Sequence, residues 1–124
     1  WVDPGPARTT RGKAMQYLLL IYTPEDEPFH PAGMKDYLEI TRSLREAGQL
    51  QAAEPLMPTS TATSLRIREG ETLVTDGPFA ETREALGGFY LVDVKDLDEA
   101  LAIAKRFPAA KIGTVEVRPI RMRS

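Results

Sequence analysis

Residues 88–101, GFYLVDVKDLDEAL, decide the fold because they join a buried strand directly to a capped helix. The first seven residues are almost all apolar, which is typical of a strand covered on both faces. Asp96 then precedes Leu97 as an N-cap, with Glu99 three residues later, and this pattern begins a helix. Pro108 follows the end of the helical pattern. The stretch therefore predicts a β-α unit.

A similar unit lies near the beginning of the sequence. Residues 16–22, QYLLLIY, have apolar side chains on both alternating faces and predict a central strand. Apolar residues then recur at helical spacing over residues 31–47, and Gly48 supplies the stop. An extended stretch follows over residues 50–57 and completes a first β-α-β unit.

The residues between and after these units are predicted to be strands. Residues 61–68 and 72–75 flank Glu69-Gly70 and indicate a β-hairpin. Residues 113–118 alternate strictly between apolar and polar side chains, as the last strand of the second unit would. The order βαβ(ββ)βαβ predicts an α+β protein with a ferredoxin-like antiparallel sheet and two helices on one face.

The composition excludes several classes of functional site but does not identify a function. The 124 residues suit one domain, which we place at residues 15–124 after a flexible N-terminal extension, residues 1–14. There is no cysteine and a single histidine, so disulfides, thiolate metal sites and paired imidazoles are excluded. A net charge of −2 gives no reason to expect nucleic-acid binding. The longest apolar run has six residues and is too short to cross a membrane.

The predicted sheet has helices on one face only, and its other face is rich in apolar side chains. Alternate residues of strands 16–22 and 88–94 point to that face, which is too apolar to remain in contact with water. A second copy of the chain is the simplest cover, and we expect a homodimer with the two sheets face to face. The alternative is a monomer in which residues 54–88 cover the same face.

Two further motifs carry a family resemblance. Asp76-Gly77-Pro78-Phe79 and the later Leu86-Gly87-Gly88-Phe89-Tyr90 resemble the DGPF signature of the YCII-related proteins, and the likeness extends over nearly all of residues 15–120. The resemblance implies a dimeric α+β barrel and a bacterial, cytoplasmic setting. It also implies genes beside those of sigma factors, which makes a sigma factor a candidate partner. It implies no activity, although a few barrel relatives are dehalogenases or decyclising enzymes.

The sequence departs from the pattern of the broader group at the position that would matter for catalysis. The histidine often present in the first helix, proposed as half of a His–Asp pair, corresponds to Tyr37 here. Tyrosine is not a general base at neutral pH. The Gly-Pro after the second strand is replaced by Glu54-Pro55. A His–Asp mechanism therefore cannot be carried over to this chain.

Asp76 is the candidate catalytic residue, because a carboxylate fixed beside a Gly-Pro turn could act as a general base or hold a polar ligand. Its structural alternative is an ordinary turn in which the carboxylate accepts local backbone N–H groups. The candidate ligand-binding residues lie in the same turn, in the loop before the first helix and on the strands: Tyr22, His30, Gly77, Pro78, Phe79, Tyr90 and Arg118. For the tyrosines and Phe79 the alternative is a place in the core, and for Arg118 it is an ion pair with Glu116.

No metal or cofactor is expected. His30 has only the loop carboxylates of residues 25–27 nearby in sequence, which is a weak ligand set. Gly87-Gly88 lacks the spacing of a dinucleotide-binding loop and better fits a close approach of two backbones. Two functions stay open: a non-catalytic homodimer that binds a small ligand or a protein partner, and a cofactor-free enzyme that uses Asp76 as a base on a small organic substrate.

Overall fold

A computed structural model describes residues 15–24, 31–78 and 83–121. The predicted extension at residues 1–14 lies outside them. The strands are β1 Met15–Pro24, β2 Leu50–Pro55, β3 Thr63–Arg68, β4 Glu71–Asp76, β5 Glu84–Val94 and β6 Thr114–Pro119. The helices are α1 Pro31–Glu46, α2 Leu97–Ala104 and α3 Ala109–Ile112. No helix in the described ranges is long and apolar enough to cross a membrane.

Four of the strands form one antiparallel sheet in the order β2-β5-β1-β6. This arrangement confirms an α+β protein with an antiparallel sheet and is consistent with a ferredoxin-like fold. The expectation of two helices was wrong, because the described chain contains α3 as well. Pro108 follows the end of α2, as predicted, and it is also the N-cap of α3. Proline is tolerated at the start of a helix because no N–H is needed there.

The hydrophobic core lies between the helices and one face of the sheet. Alternate residues of β1 and β5 provide its sheet side, and the largest fully buried side chain is Phe107, which follows α2. The buried cluster comprises Tyr17, Leu19, Ile21, Ile40, Leu44, Tyr90, Val92, Val94, Ala100, Ile103, Phe107 and Ala109. Since both central strands contribute to it, this core fixes which face the helices cover.

Two local signals in the sequence are confirmed. Asp96 caps α2 by accepting a hydrogen bond from the Glu99 backbone N–H at 2.9 Å. The turn between β3 and β4 has φ of 51° at Glu69 and 80° at Gly70. Positive φ at both central residues is the geometry of the tight hairpin turn whose twist matches that of the strands.

The sheet face away from the helices is apolar along its two central strands. Leu18, Leu20 and Phe89 on this face are partly buried, and Leu91 is buried. Their positions follow from the register, which sets Leu18 opposite Leu91 and Leu20 opposite Phe89. We call these four residues the open-face stripe.

The β3–β4 hairpin forms a sheet of its own and shares no ladder with the larger sheet. Its large apolar side chains are exposed rather than packed on the open-face stripe: Leu65, Ile67, Leu73 and Val74. An isolated two-stranded hairpin is marginally stable in water. These hairpin side chains therefore do not cover the stripe. Cover of the sheet by a second copy and cover by other parts of residues 54–88 both stay predictions.

Candidate functional site

A cavity of about 230 Å³ lies between α1 and the sheet, at the end where β1, β2 and β5 meet. We call it the α1 cavity. Most of its described lining is apolar or backbone, and the lining residues are Ile21, Met34, Tyr37, Leu38, Thr41, Ala53, Glu54, Pro55, Gly87, Gly88, Phe89 and Tyr90.

Small residues on the sheet create this cavity. Ala53 lies opposite Tyr90, and Gly88 lies opposite Ile21, on the side of the sheet that faces α1. A Cβ atom at Gly88 would lie 3.0 Å from the Glu54 carbonyl oxygen, so the β2 and β5 backbones come close together here. This close approach is what the Gly-Gly pair was expected to provide. Because Ala53 and Gly88 fill little of the volume beneath α1, a space remains between the helix and the sheet.

Two residues of α1 stand at the rim of the cavity instead of in the core. Helical spacing alone would place Met34 and Leu38 on the buried face, yet they are 47% and 64% exposed. Both line the α1 cavity. Exposed apolar side chains around a concave site are typical of a surface that contacts a ligand.

Hydroxyl groups from two elements meet in the cavity wall. The Thr41 hydroxyl oxygen lies 2.7 Å from the Tyr37 carbonyl oxygen, to which it can donate, and 2.6 Å from the Tyr90 hydroxyl oxygen. The Tyr90 hydroxyl is also 3.2 Å from the same carbonyl oxygen. We call these two hydroxyls and this carbonyl the hydroxyl cluster. It ties β5 to α1 across a sequence separation of 53 residues.

Aromatic rings support the cluster from the core. The Phe107 ring centroid is 4.7 Å from that of Tyr90 and 5.7 Å from that of Tyr37. The Tyr37 hydroxyl oxygen accepts a hydrogen bond from the Ala109 backbone N–H at 3.2 Å. Tilted aromatic pairs at these distances are favourable contacts. The two tyrosines are therefore held in place by α3 and by Phe107.

Burial raises the pKa of both phenols above the usual value of 10.0. For Tyr37 a hydrogen bond from the Ala109 backbone opposes part of this rise in pKa, and for Tyr90 the hydrogen bond to Thr41 does so. Desolvation disfavours the phenolate, which is the charged form. Both phenols are thus neutral at physiological pH.

The raised pKa values predict how stability depends on alkaline pH. Because the folded state holds the two phenolic protons more tightly than the unfolded chain, their stabilising contribution is complete below pH 10.0 and falls as the pH rises through the folded pKa. In urea unfolding between about pH 9 and 11, we expect a steeper loss of stability for the wild type than for the Tyr37→Phe/Tyr90→Phe variant. Equal slopes for the two proteins would contradict the pKa shifts.

Of the residues expected at a site, Tyr90 lies in the α1 cavity and two others lie elsewhere. The Tyr22 hydroxyl is 3.4 Å from the Glu116 carboxylate, between β1 and β6. Arg118 is exposed and pairs with the same carboxylate through its Nε at 2.9 Å. The ion pair given as the structural alternative for Arg118 is therefore present.

Asp76 and its neighbours end the β3–β4 hairpin, and none of them lines the α1 cavity. Asp76 is exposed and lies opposite Thr63. Among the described residues, the bonds that hold this turn come from other groups: the Gly77 N–H donates to the Ala62 carbonyl at 2.7 Å, and the Ser64 hydroxyl donates to the Gly77 carbonyl at 2.8 Å. Pro78 is exposed. His30 and Phe79 lie outside the described residues.

Sequence reasoning missed Thr41 and did not propose Tyr37 as a ligand-binding residue. A signal was present, since residues four apart share one face of a helix and this pair lies on the face toward the sheet. Tyr90 was proposed as a ligand-binding residue, but its contact with this pair on α1 was not predicted. No cluster of three or more acidic, histidine or cysteine residues that could hold a metal ion occurs within the described ranges.

Comparison with known proteins places the chain in a family. The model of the YCII-related domain matches residues 15–123. An uncharacterized protein of Rhizobium meliloti (strain 1021) is 47% identical over 91 residues, which cover 72% of this chain and 73% of that protein. The domain match extends over the large sheet, the hairpin and all three helices. The chain therefore belongs to the family of YCII-related domain proteins.

Proposed function

We propose that this protein is a non-catalytic homodimer that binds a small, largely apolar organic molecule in the α1 cavity. The observation that carries the proposal is the cavity itself: about 230 Å³ of space between α1 and the sheet, with a mainly apolar lining and a few convergent hydroxyl groups. Such a combination is typical of small-molecule sites, in which apolar contacts supply affinity and a few polar groups fix orientation.

The chemistry of the lining favours binding over catalysis. Its described hydroxyl groups belong to two phenols whose pKa values are raised and to a threonine. Neutral phenols and an alcohol without an adjacent base are poor nucleophiles and poor general bases. Glu54 is paired with Phe89, and strand alternation directs its side chain to the face opposite that of Ala53. A catalytic base within the cavity is therefore not among the described side chains.

The alternative of a cofactor-free enzyme depends on Asp76. That carboxylate is exposed at the end of β4 and does not line the α1 cavity. A general base must lie within hydrogen-bonding reach of the proton that it removes. A substrate bound in the α1 cavity would not offer that geometry to Asp76 of the same chain, so the binding function is the better supported of the two.

The homodimer would form through the open-face stripe, as in a dimeric α+β barrel. In support, the stripe places four large apolar residues side by side on the two central strands. Glu116 and Arg118 flank it on β6, which gives the apolar stripe a polar border. An apolar centre with a charged rim is the usual composition of a protein interface. A sigma factor stays a candidate protein partner, and co-purification with the tagged protein in its own host tests that prediction.

Filling the α1 cavity should abolish ligand binding without unfolding the protein. We expect Ala53→Leu to add three carbon atoms to the floor of the cavity and to remove the thermal shift produced by compounds that stabilise the wild type. A compound at 100 times its Kd stabilises a protein by about 2.7 kcal/mol, which raises the melting temperature by several degrees. The screen would use compact aromatic and aliphatic metabolites.

Two variants make this screen decisive. Ala102→Leu makes the same change at an exposed position of α2 and should keep every thermal shift. Asp76→Asn should also keep them, because Asp76 does not line the cavity. Loss of the shifts in Asp76→Asn with retention in Ala53→Leu would refute the proposed site and favour the enzyme alternative.

A further inference from the structure

We propose that the α1 cavity selects compact apolar molecules that end in a hydrogen-bond donor, above all a primary ammonium group, and rejects carboxylates. This inference rests on the proposed function, since it specifies the ligand of the same site. It follows from three features of the cavity: the hydrogen atoms available in the hydroxyl cluster, the charges in the lining and the volume.

The hydroxyl cluster has no hydrogen atom left to offer a ligand. Thr41 and Tyr90 contribute one hydroxyl proton each, and three short contacts join their oxygens and the Tyr37 carbonyl oxygen. Both hydroxyls can donate to the carbonyl, or one can donate to the carbonyl while the other donates to its neighbouring hydroxyl. Both protons are used inside the protein in each of these arrangements. A hydroxyl oxygen accepts two hydrogen bonds, so lone pairs remain available.

A ligand therefore meets acceptors at this wall of the cavity. An ammonium group or an alcohol can donate to the oxygens of Tyr90 and Thr41 without disturbing the bonds between them. A carboxylate or carbonyl oxygen is itself an acceptor and would be repelled by the oxygens of Thr41 and Tyr90. To accept a hydrogen bond from either hydroxyl, it would have to replace one of the hydrogen bonds within the cluster. A buried polar group without a partner loses the full free energy of its hydration.

The charges in the lining act in the same direction. Among the lining residues that the structure describes, none is cationic, and strand alternation directs the Glu54 side chain to the other face of the sheet. An anion would therefore leave water without a cationic partner there. Tyr37 and Tyr90 line the cavity, and aromatic faces attract ammonium groups.

The volume sets the size of the part of a ligand that fits inside the cavity. A cavity of 150 Å³ holds benzene, so about 230 Å³ corresponds to roughly nine non-hydrogen atoms. Phenethylamine, phenethyl alcohol and propylbenzene match that size and differ only in the terminal group. Phenylacetate has the same ring and a terminal carboxylate. These four compounds therefore separate the contribution of the terminal group from that of the apolar body.

The experiment measures the Kd of each compound by following the backbone amide resonances of Ala53 and Gly88 in NMR titrations. We expect phenethylamine to bind at least tenfold more tightly than phenylacetate, with phenethyl alcohol tighter than propylbenzene. In Thr41→Val/Tyr90→Phe, which keeps the net charge, we expect phenethylamine and phenethyl alcohol to lose most of their advantage over propylbenzene. Far-UV circular dichroism and the dispersion of the NMR spectrum confirm that the variant is folded.

Each remaining outcome overturns one of the two proposals. If phenylacetate or propylbenzene binds as tightly as phenethylamine, the cavity binds ligands but does not select donors. If the preference for phenethylamine and phenethyl alcohol is unchanged in the double variant, the hydroxyl cluster is not its source. If none of the four compounds shifts these amide resonances at a concentration of about 10 mM, the Kd of each compound is well above 1 mM. The proposed function itself then fails.

Discussion

Replacement of Gly113 by alanine is expected to lower the free energy of unfolding by about 3 kcal/mol, because there is no room for a Cβ atom at this position. Gly113 joins α3 to β6, where the chain crosses close to the end of β1. A Cβ atom would overlap the carbonyl oxygen of Tyr22 and would lie 3.1 Å from the Cα atom of Thr23. Both are backbone atoms, so relief requires β1 and β6 to move apart.

The matched control is Gly33→Ala in α1. A Cβ atom there would come no closer than 4.0 Å to Pro108, which is an ordinary contact. Alanine is a better helix former than glycine, and we expect this variant to gain about 0.5 kcal/mol. Urea unfolding followed by circular dichroism measures both variants. A Gly113→Ala protein as stable as the wild type would mean that β1 and β6 are less closely packed than the structure has them.

Introduction of a lysine at Leu20 is expected to convert the proposed dimer into a monomer at micromolar concentration. Leu20 lies in the open-face stripe, so a face-to-face dimer would bury two new ammonium groups between its sheets. Each buried, unpaired charge costs several kcal/mol, enough to raise the dimer Kd by about a thousandfold or more. In the monomer Leu20 is only partly buried, so the lysine ammonium can reach water and the monomer should tolerate the change.

Sedimentation velocity measures this effect. Leu101→Lys is the control, since Leu101 is 39% exposed on α2 and the substitution adds the same charge away from the stripe. We expect the wild type and Leu101→Lys to sediment as dimers and Leu20→Lys as a folded monomer. A dimeric Leu20→Lys protein would exclude the open-face stripe as the interface, and a monomeric wild type would refute the dimer.

Much of the candidate site could not have been predicted from the sequence. Asp76 was the strongest candidate because an acidic residue in a Gly-Pro turn is conspicuous, yet it does not line the α1 cavity. Of the described residues proposed to bind a ligand, Tyr90 alone lines it. Thr41 and Tyr90 are 49 residues apart, and their hydroxyls meet because Tyr90 faces α1 across β5. Nothing local distinguishes this tyrosine from Tyr22, whose hydroxyl contacts Glu116 instead.

Features that depend on near neighbours along the chain could be predicted from the amino-acid sequence. The Asp96 cap, the Glu69-Gly70 turn and the strands that alternate or are apolar on both faces were all predicted, since capping, positive φ and side-chain alternation act over a few residues. The position of Met34 and Leu38 at the border of a cavity instead follows from long-range packing. Their exposure depends on the small residues Ala53 and Gly88, which strand pairing brings beneath α1 from distant parts of the chain.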